Sequence, residues 1–265
     1  MRILDAYIYI YPVYKKIIYS LTLVSIAISL KSPIMSVLKL DIKISITSCK
    51  RDSDNYSACL KRYLEETWPQ LIKGYPEINF PSLDPLYYKY GIIVFNSGEI
   101  NAEVILSDTT ATGLSRANFY DVRTHFLDNN FRLEIDVLVP QIIIEGEVKL
   151  NGTLGGIFRI ADKAHFNVTA DDVKATWDLT GRVVNDTWTV EHVRVLPTIK
   201  KLKVYFDDLF HGNKQFNDLA IIFVNEFWPA LYRVMLPLTS NVWDPWLTGI
   251  VNNIFLNIPF SELFP

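Results

Sequence analysis

The chain has 265 residues, enough for one large domain or two small ones with a sizeable core. A formal charge of −3 and a pI near 5.8 leave no basic footprint for nucleic acid, which sets that partner class aside. Hydrophobic residues make up 49% and aromatics 13%, so the question is where the apolar excess lies.

Part of it lies near the N-terminus. Lys15 and Lys16 precede an apolar run from Ile17 to Leu30 that Lys31 closes, the order of a basic segment and an apolar segment of signal-peptide length, short for a membrane span. The reading is a secretory signal cleaved between Leu30 and Cys49. An N-terminal anchor and a start codon downstream of Met1 stay open, because the leader ahead of Lys15 is long and tyrosine-rich. Leu38 to Thr47 alternates apolar and polar residues strictly, which predicts a half-buried strand. Residues 1–48 are thus expected to be signal and leader, and 49–265 a single domain.

The chain has two cysteines, Cys49 and Cys59. An even count behind an export signal favours a disulfide, worth about 2.5–3 kcal/mol in the chain-entropy model. With no histidine beside them, the pair is a poor zinc site. Glycosylation acceptor tripeptides begin at Asn55, Asn151, Asn167 and Asn185. Asn151-Gly152 and Asn185-Asp186 also fall where strand alternation breaks, as hairpin turns should.

From Tyr56 to Lys73, Leu60, Tyr63, Leu64, Trp68, Leu71 and Ile72 share one helical face, with Lys61, Arg62, Glu65 and Glu66 opposite. This predicts an amphipathic helix, bent at Pro69 and ended by Gly74 and Pro76. Residues 80–86 hold two prolines and read as an extended connector. From about Tyr87 to Leu209 the period becomes two: Leu133, Ile135 and Val137 alternate with Arg132, Glu134 and Asp136, and Leu202, Val204 and Phe206 with Lys201, Lys203 and Tyr205. That is an antiparallel sheet of seven to nine strands, wet on one side.

Gln215 to Asn257 is the longest helix-compatible run. Phe216, Leu219, Ile222, Phe223, Phe227, Leu231, Val234, Met235 and Leu238 recur at helical spacing, and a thin polar stripe, Asp218, Asn225, Arg233 and Ser240, leaves most of the circumference apolar. Pro229, Pro237 and Pro245 should kink or divide it. A helix apolar nearly all round needs cover from several directions, and a sheet with one apolar face needs something to cover. The joint solution is an α+β fold in which a strongly curved antiparallel sheet wraps the long C-terminal helix.

The residues from Cys49 to Pro265 also resemble a known family. Cys49-Lys50-Arg51 with Cys59-Leu60, the run Phe80-Pro81-Ser82-Leu83-Asp84-Pro85-Leu86, Val139-Pro140 followed by Ile144-Glu145-Gly146, Phe206-Asp207-Asp208-Leu209-Phe210, Asn225-Glu226-Phe227-Trp228, and the terminal segment Ile258 to Pro265 occur in that order. Together they resemble the insect takeout and juvenile-hormone-binding proteins of the tubular lipid-binding superfamily. The resemblance implies a long helix inside a curved sheet around an apolar tunnel. Pro229, Pro245 and the leader depart from the family pattern.

Chemistry has no evident seat. His125, His165, His192 and His211 have no i,i+4 partner, and no nucleophile elbow, zincin pair or CxxC occurs. Asp171-Asp172 and Asp207-Asp208 lie at predicted strand ends or turns, where solvated carboxylates are ordinary. No enzyme activity, metal or cofactor is expected. The expected function is a secreted, monomeric carrier of a small lipophilic ligand, a juvenile-hormone-like terpenoid, a fatty acid or a similar molecule, without membrane insertion once the signal is cleaved. Leu83, Leu86, Phe223, Phe227 and Leu231 are the expected lining, because side chains four apart stack on one helix face. The competing reading is a secreted protein-interaction module with a packed core. A continuous apolar cavity separates the two.

Overall fold

The computed structural model describes residues 49–97, 100–154, 158–210 and 212–265. All belong to the second of two units into which the chain divides, Ile46–Pro265. The N-terminal apolar run and the strand expected at Leu38–Thr47 lie outside the described residues.

Two strands of unusual length form the backbone of the sheet. β4 (Asn130–Leu154) and β5 (Phe158–Val184) pair antiparallel from Asn130↔Arg182 to Leu154↔Phe158. The other strands divide this length between two lobes. In the distal lobe β1 (Leu86–Ser97) and β2 (Ile100–Thr112) lie on the β4 side and β7 (Thr198–Phe206) on the β5 side; in the proximal lobe β3 (Asn118–Leu127) pairs β4 and β6 (Thr187–Val195) pairs β5. The result, among the described residues, is one seven-stranded antiparallel sheet, at the low end of the expected count.

The handover from β2 to β3 along β4 falls between Ile143 and Leu138. Pro140 sits in this gap, where its missing N–H interrupts no ladder bond to β2 or β3. The chain turns beside it at Gly113, whose φ of +113° and 2.1 Å approach of an added Cβ to the Gln141 carbonyl admit only glycine. Asp84 holds this turn: its carboxylate accepts from the N–H of Gly113 at 3.1 Å and of Ser115 at 2.8 Å.

Alternation along β4 sorts its side chains as expected. Phe131, Leu133, Ile135, Val137 and Val139 are all buried. Between them, Arg132 pairs with Asp178 and Glu134, and Arg123 of β3 with Asp136, as a charged ladder on the outer face. One expected turn is corrected. Asn151 lies inside β4, opposite Ala161, because pairing with β5 continues to Leu154. Asn185 and Asp186, by contrast, both take positive φ, 51° and 59°, as the two-residue turn joining β5 to β6.

The proximal lobe is closed at its end. Helix α1 (Tyr56–Leu71), with Pro69 in its last turn, buries Leu60 and Trp68 on the sheet, where Trp68 meets Phe119 at 5.1 Å and donates to the Leu114 carbonyl. The Cys49–Cys59 disulfide ties the helix to the preceding segment. Phe260 and Leu263 of the short C-terminal helix α3 (Phe260–Leu263) enter the same core with Phe264, around Phe131 and the fully buried Trp188. Arg51 donates to the Phe264 carbonyl and lies over the Phe126 ring, while Asp186 caps α3 through the Ser261 N–H at 2.8 Å.

The long helix is α2 (Lys214–Phe255), within two residues of the expected bounds and continuous through Pro229, Pro237 and Pro245. Its attachment is polar. Asn217 accepts from Leu209 N–H and donates to the Phe206 carbonyl; Asn225 does both to Val204; Asp244 accepts from Val193 N–H; Asn252 does both to Val190. These are backbone groups on the free edges of β7 and β6 and in the segment after β7. From the opposite edge, Tyr88 of β1 packs on Trp243 and Trp246 at 4.6 and 4.9 Å, so α2 touches both edges of the curled sheet.

Two outcomes follow. Val190 is only 2% exposed, so Asn252→Ala leaves its N–H and C=O without partners and should cost about 1–3 kcal/mol in urea unfolding, more than Asn225→Ala beside the half-buried Val204. Burial alone would raise the Asp84 carboxyl, but hydrogen bonds from Ser115 and Gly113 and the Arg116 charge outweigh it and hold the group below the ordinary carboxylate value of 3.8. A lowered folded-state value adds stability that is complete above that pH and lost as pH falls through the folded value. Asp84→Asn should therefore cost about 1 kcal/mol at neutral pH, small because the carboxylate is half-exposed. The difference in Tm from the parent should shrink as pH falls below 3.8 and close once pH is below the folded value.

Candidate functional site: an uncovered apolar face on the long helix

The C-terminal half of α2 is packed: Leu247, Val251 and Phe255 join the main core. The N-terminal half departs from the expectation of cover from several directions. Phe216 is 59% exposed, Leu219 60%, Ile222 63%, Phe223 53%, Phe227 51% and Val234 68%. The cause is the polar attachment. Asn217 and Asn225 turn one side of the helix to the β7 edge, and the opposite side then meets no described element.

Phe216, Phe223, Phe227 and Val234 are seven, four and seven apart and so form one row. The Phe223 and Phe227 rings lie 5.0 Å apart. At the head of the row Phe216 meets Phe210 at 6.2 Å. Phe210 in turn packs on a second, smaller core built on the inner face of the distal lobe from Val148, Ala164, Phe166 and Leu209. Around it Val104, Leu106, Ile144, Leu150 and Val168 are only partly buried. An apolar sheet face with incomplete cover and an apolar helix row thus join at Phe210–Phe216.

Of the five lining residues expected, Phe223 and Phe227 stand together in this row, and Leu231, one turn on, is half-buried. Leu83 lies elsewhere: its N–H donates to the Ile72 carbonyl at the end of α1, and its side chain packs on the main core. Leu86 is half-buried at the start of β1, opposite Ala111, and belongs to neither cluster. The connector motif that drew attention to both leucines is explained by Asp84 and the turn that it holds. Phe216 and Val234 were legible as members of the row by their spacing from Phe223 and Phe227. Phe210 was not, because only the tertiary structure brings it there.

A groove of about 570 Å³ lies beside the β7 edge, lined by Asn167, Thr169, Lys201, Leu202, Lys203, Val204, Tyr205, Asn225 and Trp228. It is not the apolar tunnel expected between helix and sheet. Of its lining, Asn167, Thr169, Lys203 and Tyr205 share the outer face. Among the described residues no group of three or more His, Cys, Asp or Glu could hold a metal ion. Near the helix, burial raises the titration of Tyr88 and of Tyr232, whose hydroxyl donates to the Pro197 carbonyl at 2.6 Å.

The sequons occupy varied settings. Asn55 precedes α1 and Asn185 is in the β5–β6 turn, both exposed; Asn151 is exposed on β4; Asn167 is half-buried on β5, its amide donating to Glu145 at 2.6 Å.

By length and composition the Lys214–Pro237 stretch of α2 could cross a membrane, with a mean hydropathy of 1.4. The fold that holds this stretch recurs in a known structure. The crystal structure of Epiphyas postvittana Takeout 1 superposes with a TM-score of 0.60 at 16% identity, covering 78% of this chain and 94% of that one. No curated protein matches the sequence. The family model for haemolymph juvenile hormone binding protein (JHBP) matches residues 23–265. The chain belongs to the haemolymph juvenile hormone binding protein family.

Proposed function

We propose that this protein is a secreted carrier that reversibly binds a small lipophilic ligand, a juvenile-hormone-like terpenoid or a fatty acid, against the apolar row of α2 and the adjoining inner face of the distal lobe. The observation that carries the proposal is the half-exposed row from Phe216 to Val234. An apolar face of this size on a monomeric chain marks a surface that something apolar covers. Membership in a family whose description names a hormone-binding protein supports a small ligand as that cover. The Cys49–Cys59 disulfide supports an oxidising, extracellular setting. Exposed sequons at Asn55, Asn151 and Asn185 are then available to the secretory glycosylation machinery.

The energetics fit a carrier. A ligand that hides about 400 Å² of apolar surface gains on the order of 10 kcal/mol at about 25 cal/mol per Å². Association and ordering remove several kcal/mol of that. The remainder corresponds to micromolar to nanomolar affinity, tight enough to load and weak enough to release. Specificity then falls to polar tips near the apolar walls. The buried Tyr88 beside Trp243 and Trp246 is the candidate.

Native mass spectrometry of the secreted protein, with extraction of whatever co-purifies, should show a lipophilic molecule bound at one per chain. Because Phe223 and Phe227 are half-exposed, truncating either to alanine should cost roughly 1 kcal/mol of stability, against about 3–5 for a core phenylalanine. The same variants should weaken binding of a fluorescent fatty acid at least tenfold. Unchanged probe affinity in both variants would remove the row from the site.

A further inference from the structure

We propose that the outer groove between β7 and α2 seats an N-linked glycan carried on Asn167. The proposal rests on the secretory route given above and adds a specific structural role for one sugar chain. Asn167 and Thr169 are the first and third residues of an acceptor tripeptide, and both line the groove. On the pleated sheet residues two apart face the same side, here the outer one. The Thr169 hydroxyl is 3.4 Å from the Asn167 amide oxygen.

The ladder fixes what a sugar on Asn167 would meet. Tyr205 is directly opposite Asn167, and Lys203 directly opposite Thr169. Tyr205 is 55% exposed, a large ring left in solvent at the cross-strand position where side chains come within contact distance. Trp228 of α2 stands on the helix side of the groove. The apolar C–H face of a pyranose packs on such rings, and the exposed Lys201 and Lys203 supply donors for its hydroxyl and acetamido oxygens. At about 570 Å³ the groove has room for a drug-sized molecule, hence for the first sugars of a chain.

The amide chemistry is compatible. Nδ2 of asparagine carries two hydrogens. One is donated to Glu145, and the other is the one that a sugar replaces. The bond from Nδ2 to the anomeric carbon forms as the bond from that carbon to a lipid diphosphate donor breaks; the diphosphate leaves with the electron pair and the amide proton passes to a base of the transferase. In the folded sheet Asn167 is paired on both sides, to Glu145 of β4 and Tyr205 of β7. Transfer therefore belongs to the growing chain, before β5 is locked, and folding then lays the first sugars into the groove.

The test is site-resolved. The full chain is secreted from insect cells, and each sequon is scored by peptide mapping after peptide N-glycosidase digestion in ¹⁸O water. Asn167 should be occupied, and its glycan should be released at least tenfold more slowly from the native than from the denatured protein. Tyr205→Ser, a change at an exposed position, should remove that protection. Glycan on Asn185 or Asn55 with none on Asn167 overturns the proposal and leaves secretion standing. An Asn167 glycan released equally fast from native and denatured protein overturns the groove as its seat. A secreted chain with no glycan at any of the four sequons overturns this proposal and leaves secretion standing, whereas failure of the full chain to reach the medium overturns the secretory reading and this proposal with it.

Discussion

The structure depends on one type of contact, the side chains of α2 hydrogen-bonded to strand edges. β6 and β7 border the sheet, and an unpaired edge presents backbone N–H and C=O groups that need partners. Asn225 and Asn252 each satisfy both groups of one residue, and Asn217 and Asp244 satisfy neighbouring groups. An amide side chain suits the task because it donates and accepts at once. These bonds protect the edges, and they also fix the rotation of the helix about its axis. Once the asparagines point at β7, Phe216, Phe223, Phe227 and Val234 must point away from it. The exposed row is therefore a consequence of how the helix is fastened.

The two lobes of the sheet divide the remaining work. In the proximal lobe aromatic rings meet edge to face around Phe131 and Trp188, with α1, the disulfide and the C-terminal segment closing the end. Arg51 joins the first described segment to the last through the Phe264 carbonyl. Among the described residues the distal lobe has a small buried cluster, Val148, Ala164, Phe166 and Leu209, with partly covered neighbours. A carrier needs both conditions in one domain: a packed end that holds the sheet curled, and an incompletely filled end whose apolar walls gain by taking in a ligand. The long β4–β5 pair transmits the curvature from one end to the other.

Much of this was legible in the chain. Burial requires period two in a half-wet sheet and period 3.6 in a helix, so the strands from Leu86 to Phe206 and helices α1 and α2 could be read from where apolar residues recur. Positive φ is cheap for few residues, which made Asn185-Asp186 readable as a turn. The same reasoning misplaced Asn151-Gly152, because a glycine also tolerates extended backbone and the continued β4–β5 pairing decided the register. Phe223 and Phe227 were legible as a stacked pair, since that depends only on helical spacing.

What the sequence could not determine is which side of α2 would be covered. A helix apolar nearly all round has no face marked for burial by composition. The choice was made by Asn217, Asn225, Asp244 and Asn252, whose partners lie 8 to 62 residues away, on strand edges and in the segment after β7, and come together only in the assembled sheet. The same holds for Leu83, which is apolar and in the expected connector but is drawn into the main core by the backbone bond to Ile72. Local spacing determines the elements and their faces; the pairing of edges with side chains far along the chain determines which apolar face is left open.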